Sequence, residues 1–170
     1  MDPVASGGSD GGPPTGRLAG NALASFLDPQ RVVFVSGSPS QRDVLLQLAE
    51  LTGSDWTIAQ RAYFLKALFD REAVTTTAIG GGIAVPHARL THLDRCRVTI
   101  GLAPGGVEWL ARDSQPVRLI VLIAARENDR AEHLRLLAAV ASRLNDLARR
   151  ERVIQATSAE EALTELAGSG

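Results

Sequence analysis

The side chain best suited to chemistry in this sequence is His87, which a proline places at a stiff bend. It stands in the stretch TTTAIGGGIAVPHARL, from Thr75 to Leu90. An imidazole titrates near neutral pH, and its neutral nitrogen is a competent nucleophile. Pro86 has no N–H to give a sheet and holds its φ at about −65°, so we expect it to end the preceding element and to fix the direction in which His87 leaves.

Two further residues could assist an imidazole that carries a phosphoryl group. His133 begins a predicted helix, where unpaired N–H groups favour anions, although it could equally be a core histidine with one satisfied nitrogen. Arg71 closes another predicted helix, where a cation suits the helix dipole. Its planar fork also matches a transferred phosphoryl group, and the residues alone leave both readings open.

The neighbours of His87 are expected to support it. Three consecutive glycines, among them Gly80 and Gly82, predict a turn with positive φ angles, and we expect this turn to lie beside His87 with room for a ligand or partner. Thr76 and Thr77 are typical of a turn or strand edge, but their hydroxyls could also bond to phosphate or to the histidine that bears it. His92 is expected to be a solvated loop residue.

Other chemistries fit the sequence less well. It has no G-x-x-x-x-G-K-[ST] phosphate loop and no G-x-S-x-G nucleophile elbow. His87 and His92 lack the spacing of a zinc pair, and carboxylates do not cluster with them. Cys96 is the only cysteine, which excludes an internal disulfide and a multi-cysteine metal site. We therefore expect neither a metal nor a cofactor.

Residue patterns predict strands alternating with helices. Strands are predicted at 31–35, 98–103 and 117–124, with a turn at Pro104-Gly105-Gly106 between the last two. Capping boxes predict helix starts at Ser38 with Gln41, Thr57 with Gln60 and Ser158 with Glu161, and Gly53 is expected to end the first helix. These alternating elements indicate an α/β protein.

A long amphipathic helix is predicted from Glu132 to about Ala148, capped by Asn128 or Asp129. Its buried stripe is expected to contain His133, Leu134, Leu137, Val140, Ala141 and Leu144.

Composition limits the classes of protein to consider. The 170 residues suit one domain, and Lys+Arg 18 against Asp+Glu 19 gives a net charge of −1, which argues against nucleic-acid binding. No apolar run reaches the roughly 20 residues needed to cross a bilayer, and the N-terminus does not resemble a signal peptide. We expect a cytoplasmic protein without membrane insertion, with a disordered Gly/Pro/Ser-rich tail at 1–20 and one folded domain at 21–170.

Several segments together resemble a known family. Arg71-Glu72, Thr76-Thr77 and IGGGIAVPHAR from Ile79 are similar to the active-site signature of the fructose/mannitol-type EIIA domains. These domains belong to the bacterial phosphoenolpyruvate-dependent sugar phosphotransferase system, and the family includes a nitrogen-regulatory branch. DSQPVRLIVLI from Asp113 and EHLRLLAAVASRL from Glu132 resemble its later segments. The sequence departs from the usual pattern at Ala78 (commonly glycine), Thr76 (often serine) and Trp109 (commonly phenylalanine).

The resemblance implies a fold and a mechanism. The fold would be a mixed β-sheet flanked by helices on both faces, in a single domain. His87 would accept a phosphoryl group at Nε2 from an HPr-like phosphocarrier protein and pass it to a cysteine of an EIIB domain. His133 matches the family's second active-site histidine and Arg71 its phosphoryl-binding arginine. A partner must dock over His87, so we expect an apolar patch there, with Ile79, Ile83 and Leu90 as candidates.

Two functions remain open from the sequence. The protein could carry phosphoryl groups in sugar transport. It could instead be a regulatory module in which the phosphorylation state of His87 controls a transporter, a kinase or another partner without sugar transfer. The absence of an EIIB or EIIC segment from this sequence motivates the second hypothesis.

Overall fold

The structure is a computed structural model that describes residues 22–168. The tail predicted at 1–20 lies outside the described residues. A helical turn at 22–24 and a 3-10 turn at Pro29–Arg31 lead into the first strand. The strands are β1 (Val32–Phe34), β2 (Ala78–Gly80), β3 (Ile83–Ala84), β4 (His87–Leu90), β5 (Arg97–Val107) and β6 (Val117–Arg126). The helices that follow this turn are α1 (Gln41–Thr52), α2 (Ile58–Val74), α3 (Arg130–Leu144), α4 (Leu147–Ile154) and α5 (Ala159–Ala167).

The six strands form one mixed sheet. Its order is β1-β5-β6-β3-β2, and β4 pairs with β6 beyond the end of β3. β1 runs parallel to β5, and both β3 and β4 run parallel to β6. The β5–β6 and β2–β3 pairs are antiparallel. The predicted mixed sheet is therefore confirmed.

Helices cover both faces of this sheet, each over its own apolar core. Along the central strand β6, Leu119, Val121 and Ile123 belong to the core that also contains Leu136, Val140 and Leu163 from α3 and α5. The alternate residues Ile120, Leu122 and Ala124 belong to the core that contains Leu45, Leu48 and Leu68 from α1 and α2. Successive side chains of a strand point to opposite faces, so β6 is buried on both sides. The predicted α/β class, with helices on both faces of a single domain, is confirmed.

Most helix ends lie where the sequence indicates. Thr57 and Gln60 form a capping box, Gly53 is the C-cap of α1, and Asp129 caps α3. The prediction that Ser38 caps α1 is wrong. Ser40 is the N-cap, because its hydroxyl accepts the N–H of Asp43 at 3.1 Å while the Asp43 carboxylate accepts the N–H of Ser40. The helix thus begins with a capping box of the predicted kind, but its residues are Ser40 and Asp43, two positions after Ser38 and Gln41.

Two other element boundaries differ from the prediction. Pro104-Gly105-Gly106 is not a turn between strands, because it lies inside β5, where the register with β6 shifts between Leu102 and Val107. Gly106 takes a φ of 83° there, as an irregular strand segment permits. The long helix ends at Leu144, because Asp146 accepts the N–H groups of Ala148 and Arg149 and begins α4.

The buried stripe of α3 differs from the predicted one, although Leu137 is partly buried against the core as part of it. His133, Val140 and Leu144 are buried, and Leu136 and Ala139 are buried with them. Leu134 and Ala141 are exposed and lie beside surface depressions that adjoin His87. Within residues 22–168, no helix combines the length and apolar character that crossing a bilayer requires.

Candidate active site at the edge of the sheet

His87 begins β4, which continues the line of β3 along β6. Ile83 lies opposite Leu119 and His87 opposite Ile123, so both strands keep one register across the interruption at Pro86. Pro86 cannot donate to the sheet, but its carbonyl accepts the N–H of Ile123 at 2.9 Å. Pro86 thus follows the end of β3, as predicted, and holds His87 beside β6 in a strand that the sequence did not predict.

The orientation of His87 follows from strand alternation and one hydrogen bond. Ala88 and Leu90 are buried in the core under α2, so His87 and Arg89 leave the strand on the other side, towards α3. His87 Nδ1 lies 2.8 Å from the carbonyl oxygen of Val85. A carbonyl can only accept a hydrogen bond, so Nδ1 carries the proton in the neutral ring. The lone pair of the half-buried imidazole is therefore on Nε2.

His133 faces this ring from the first turn of α3. The backbone N–H of His133 donates to the carbonyl of Asp129 at 3.3 Å, and Asp129 caps the helix. The ring centroids of His133 and His87 are 5.1 Å apart, with their planes inclined at 61°. His133 is buried, and among the described residues its Nε2 has no hydrogen-bond partner. The second histidine therefore offers an unused ring nitrogen close to the first.

Arginines surround the two imidazoles. Arg71, in the last turn of α2, donates from Nη1 to the carbonyl of Thr75 at 3.0 Å. It lines one depression together with both histidines, Arg89, Arg130 and a single acid, Glu127. The structure thus brings together the three residues that the sequence singled out. It also adds Arg89, two residues after His87 in β4, and Arg130, three residues before His133 in α3; both spacings were visible in the sequence.

The surroundings keep both imidazoles neutral at pH 7. Burial is the main cause that lowers the pKa of His87, and the charges of Arg71 and Arg89 lower it further, against the opposing effects of the Val85 carbonyl and the Glu72 carboxylate. Burial likewise lowers the pKa of His133 to about 4, assisted by His87, Arg89 and Arg130. A neutral ring is the form that can attack as a nucleophile.

Thr76 and Thr77 direct their hydroxyls to a carboxylate. Thr77 Oγ1 donates to Glu72 Oε2 at 2.6 Å, and Thr76 Oγ1 donates to Glu72 Oε1 at 3.4 Å. The indole N–H of Trp109 also donates to Glu72 Oε1, at 2.9 Å. The threonines therefore fix the segment that follows α2, and sequence reasoning missed the carboxylate that holds them. The signal was an acid placed four and five residues before two hydroxyls.

The glycine turn does not line the depression around His87. Gly80, Gly81 and Gly82 have φ angles of 91°, 63° and 78° and join β2 to β3. The N–H of Gly81 donates to Asp113 Oδ2 at 2.7 Å, and its carbonyl accepts from Arg150 at 3.3 Å. The predicted positive φ angles are present, but the expectation that this turn lies beside His87 is wrong. The glycine turn lies at one end of the antiparallel β2–β3 hairpin. His87 follows the other end, where the N–H of Val85 donates to the carbonyl of Thr77.

Three smaller expectations concern apolar and aromatic surroundings. Ile83 and Leu90 are each only 1% exposed, so they are core residues and cannot form a docking patch. Ile79 is 58% exposed and lines a depression next to His87, while Leu134 is 55% exposed beside His133. His92 is not a solvated loop residue, because its ring packs against Trp56 at 4.7 Å and its Nε2 is buried.

Comparison with known proteins identifies the family of this chain. Residues 25–168 match the model of the family described as phosphoenolpyruvate-dependent sugar phosphotransferase system, EIIA 2. The chain therefore belongs to this EIIA family. It is 32% identical to a nitrogen regulatory protein of Bradyrhizobium diazoefficiens over 116 residues, which are 66% of this chain and 72% of that protein. It is 29% identical over 97 residues, or 57% of this chain, to a fructose-specific EIIABC component of Bacillus subtilis, of which it spans only 15%.

Solved structures show the same fold. The nitrogen regulatory protein IIA-Ntr of Neisseria meningitidis superposes with a TM-score of 0.77 at 26% identity, over 85% of this chain and 98% of that one. The IIA mannitol enzyme of Escherichia coli, in a complex with phosphorylated enzyme IIB mannitol, superposes with a TM-score of 0.71 at 26% identity, over 84% and 98%. This chain is thus similar both to sugar-specific and to nitrogen-regulatory EIIA proteins.

Proposed function

We propose that the protein is a phosphohistidine carrier, which accepts a phosphoryl group on His87 Nε2 from an HPr-like phosphocarrier protein and passes it to a cysteine of an EIIB domain. The hydrogen bond from His87 Nδ1 to Val85 carries this proposal, because it leaves the lone pair on Nε2. The neutral state of the ring and the cations around it are consistent with that role. The reaction needs no cofactor, and we place it in the cytoplasm.

Each transfer exchanges one bond to phosphorus for another. In the first, the Nε2 lone pair of His87 forms a new P–N bond while the P–N bond to the donor's histidine breaks, and the donor nitrogen keeps its electron pair. In the second, a cysteine thiolate of the partner forms a P–S bond while the P–N bond to His87 breaks. Such transfers demand little covalent work from the protein, so positioning and charge stabilisation decide the rate.

The residues around His87 fit these demands. Arg71, Arg89 and Arg130 would neutralise charge on the equatorial oxygens of the phosphoryl group, and a guanidinium can do so with two parallel hydrogen bonds. Within residues 22–168, His133 Nε2 is buried without a partner, and in its protonated form it would donate to a phosphoryl oxygen. The cost of leaving that nitrogen unpaired in the resting protein would then be recovered when His87 is phosphorylated.

An EIIB domain is the proposed acceptor because a similar IIA protein has been solved with one. A second candidate function is regulatory, and the similarity to nitrogen regulatory proteins favours it. In that case the phosphorylation state of His87 would control a target protein, and no phosphoryl group would pass to a sugar. Both functions require the same first transfer.

Phosphorylation with purified components tests the proposal. The protein is incubated with phosphoenolpyruvate, enzyme I and the phosphocarrier, and ³¹P–¹⁵N NMR then locates an acid-labile phosphoryl group. We expect it on Nε2 of His87, in the wild type and in His92→Gln, but not in His87→Ala. No labelling of the wild type, equal labelling of His87→Ala, or a phosphoryl group on Nδ1 would overturn the proposal. Onward transfer to an EIIB domain then separates the carrier from the regulatory function.

A further inference from the structure

The carboxylate of Glu72 collects hydrogen bonds from two separate segments. From residues 76–77 it accepts the hydroxyls of Thr76 and Thr77 and, at 3.1 Å, the N–H of Thr77. From the segment after β5 it accepts the indole N–H of Trp109. Three of these four donors converge on Oε1, and the Thr77 hydroxyl donates to Oε2. Glu72 is therefore fixed in one orientation by groups far apart in the chain.

This carboxylate is connected to the nucleophile through two residues, Thr77 and Val85. The carbonyl of Thr77 accepts the N–H of Val85 at 3.0 Å, and the carbonyl of Val85 accepts Nδ1–H of His87 at 2.8 Å. Displacement of Thr77 would move Val85, and the acceptor that fixes the His87 tautomer would move with it. The route runs from Glu72 to the imidazole through three hydrogen bonds.

The same carboxylate is adjacent to the phosphoryl-binding side chain. Arg71 precedes Glu72 in the last turn of α2 and donates to the carbonyl of Thr75, immediately before the pair of threonines that Glu72 holds. A single acidic residue thus anchors the segment that orients both the guanidinium and the imidazole.

Trp109 contributes a bond that a phenylalanine at this position could not make. Its side chain is 5% exposed and belongs to the core under α1 and α2. An indole has one polar group, a donor N–H, and a buried donor needs an acceptor. Phenylalanine would fill much of the same space but would leave Glu72 with one hydrogen bond fewer.

We propose that Glu72 and Trp109 are positioning residues for phosphoryl transfer, which hold Arg71 and the His87 tautomer through the 75–77 segment. The inference rests on the proposed function, in which His87 is the acceptor. Because neither residue lines the depression around the histidines, they should affect the chemical step and not the docking of the phosphocarrier.

The test compares Trp109→Phe and Glu72→Gln with a matched control, Trp56→Phe. Trp56 is similarly buried, at 8% exposed, but it precedes α2, at the other end of this helix from Arg71. Transfer rates are measured over a range of phosphocarrier concentrations. We expect kcat to fall about 10- to 100-fold in Glu72→Gln and about 10-fold in Trp109→Phe, with KM changed less than about twofold, because small displacements of reacting groups cost such factors. Trp56→Phe should transfer like the wild type.

A second measurement needs no phosphoryl donor. The ¹⁵N shifts of the His87 ring report which nitrogen carries the proton, and we expect both site variants, but not Trp56→Phe, to lose the pure Nδ1–H form. Wild-type transfer rates and an unchanged ring tautomer in the two site variants would overturn the positioning role. If the wild type is never phosphorylated, the proposed function fails, and the ring measurement alone decides the positioning role. Should Glu72→Gln lose its folded circular dichroism spectrum, the milder Trp109→Phe decides.

Discussion

Lowering the pH from 7 to 5 is expected to destabilise the folded protein through His133. Burial and the nearby His87, Arg89 and Arg130 lower the pKa of His133 to about 4, whereas an unfolded chain restores a pKa of about 6.5. Between these two values the folded protein binds fewer protons than the unfolded chain, so the free energy of unfolding rises with pH. The stability is fully present above the unfolded pKa and is lost as the pH falls towards 4.

The size of this effect follows from the difference between the two pKa values. Each pKa unit corresponds to about 1.4 kcal/mol, and linkage over the interval from pH 7 to pH 5 gives a loss of about 1.5 to 2 kcal/mol for His133 alone. The side chain is only 8% exposed, so solvent screens it little. His87, whose pKa is also lowered, contributes in the same direction. Carboxylates with a lowered pKa, such as Asp55 with a pKa of about 2, lose their contribution to stability only at lower pH.

Urea unfolding at pH 7, 6 and 5 measures the prediction in the wild type, in His133→Gln and in the control His92→Gln. We expect the wild type and the control to lose stability over this range, and His133→Gln to lose about 1.5 kcal/mol less. NMR titration of the His133 ring should give a midpoint near pH 4. A midpoint at or above 6.5, or an identical loss in all three proteins, would refute the reasoning.

Three further substitutions test other parts of the structure. Arg71→Lys should lower the rate of phosphoryl acceptance about tenfold, because an ammonium cannot make the bidentate contact of a guanidinium. Gly81→Ala should reduce the free energy of unfolding by about 1 to 3 kcal/mol in urea titrations, because its φ of 63° disfavours a side chain and the added methyl would clash with a guanidinium across the turn. Gly105→Ala should hardly change the free energy of unfolding, because the nearest non-neighbouring atom to the added methyl would be 3.9 Å away. Leu134→Asp should raise the KM for the phosphocarrier about tenfold without changing stability, while the equally polar change Ile58→Asp, at the far end of α2, should not.

Each of these expectations has a clear contrary result. A wild-type rate of phosphoryl acceptance in Arg71→Lys would mean that a positive charge alone is sufficient at this position, without the two parallel hydrogen bonds of a guanidinium. Equal stability of Gly81→Ala and Gly105→Ala would show that the turn relaxes freely. An unchanged KM in Leu134→Asp would place the docking surface elsewhere.

The elements with local signals were predictable from the sequence. The Thr57–Gln60 capping box defines the start of α2, and the apolar run of β6 is long enough to mark a central strand. The strand β4 was not predictable, because it forms only through its pairing with β6, in which His87 lies opposite Ile123. The end of α3 was predicted too late, at about Ala148, because Asp146 caps a new helix within a continuous helical pattern.

The candidate site shows the same division. The proline-histidine motif singled out His87, and positions at predicted helix ends, together with the resemblance, pointed to His133 and Arg71, which the fold brings to one depression. The contact between Glu72 and Trp109 could not be predicted, because the two residues lie 37 positions apart in sequence. The glycine turn was misplaced for a related reason, since only the antiparallel pairing of β2 with β3 reveals which end of the hairpin approaches His87.

The site is assembled across the thickness of the protein. Arg71 is carried by a helix on one face of the sheet, His133 by a helix on the other, and His87 by the edge strand between them. The spacing of the two layers therefore sets the spacing of these three side chains. A methylene removed beneath α2, as in Leu68→Val, will shift the guanidinium relative to both imidazoles. The packing of the apolar interior thus helps to determine the distances between Arg71 and the two histidines.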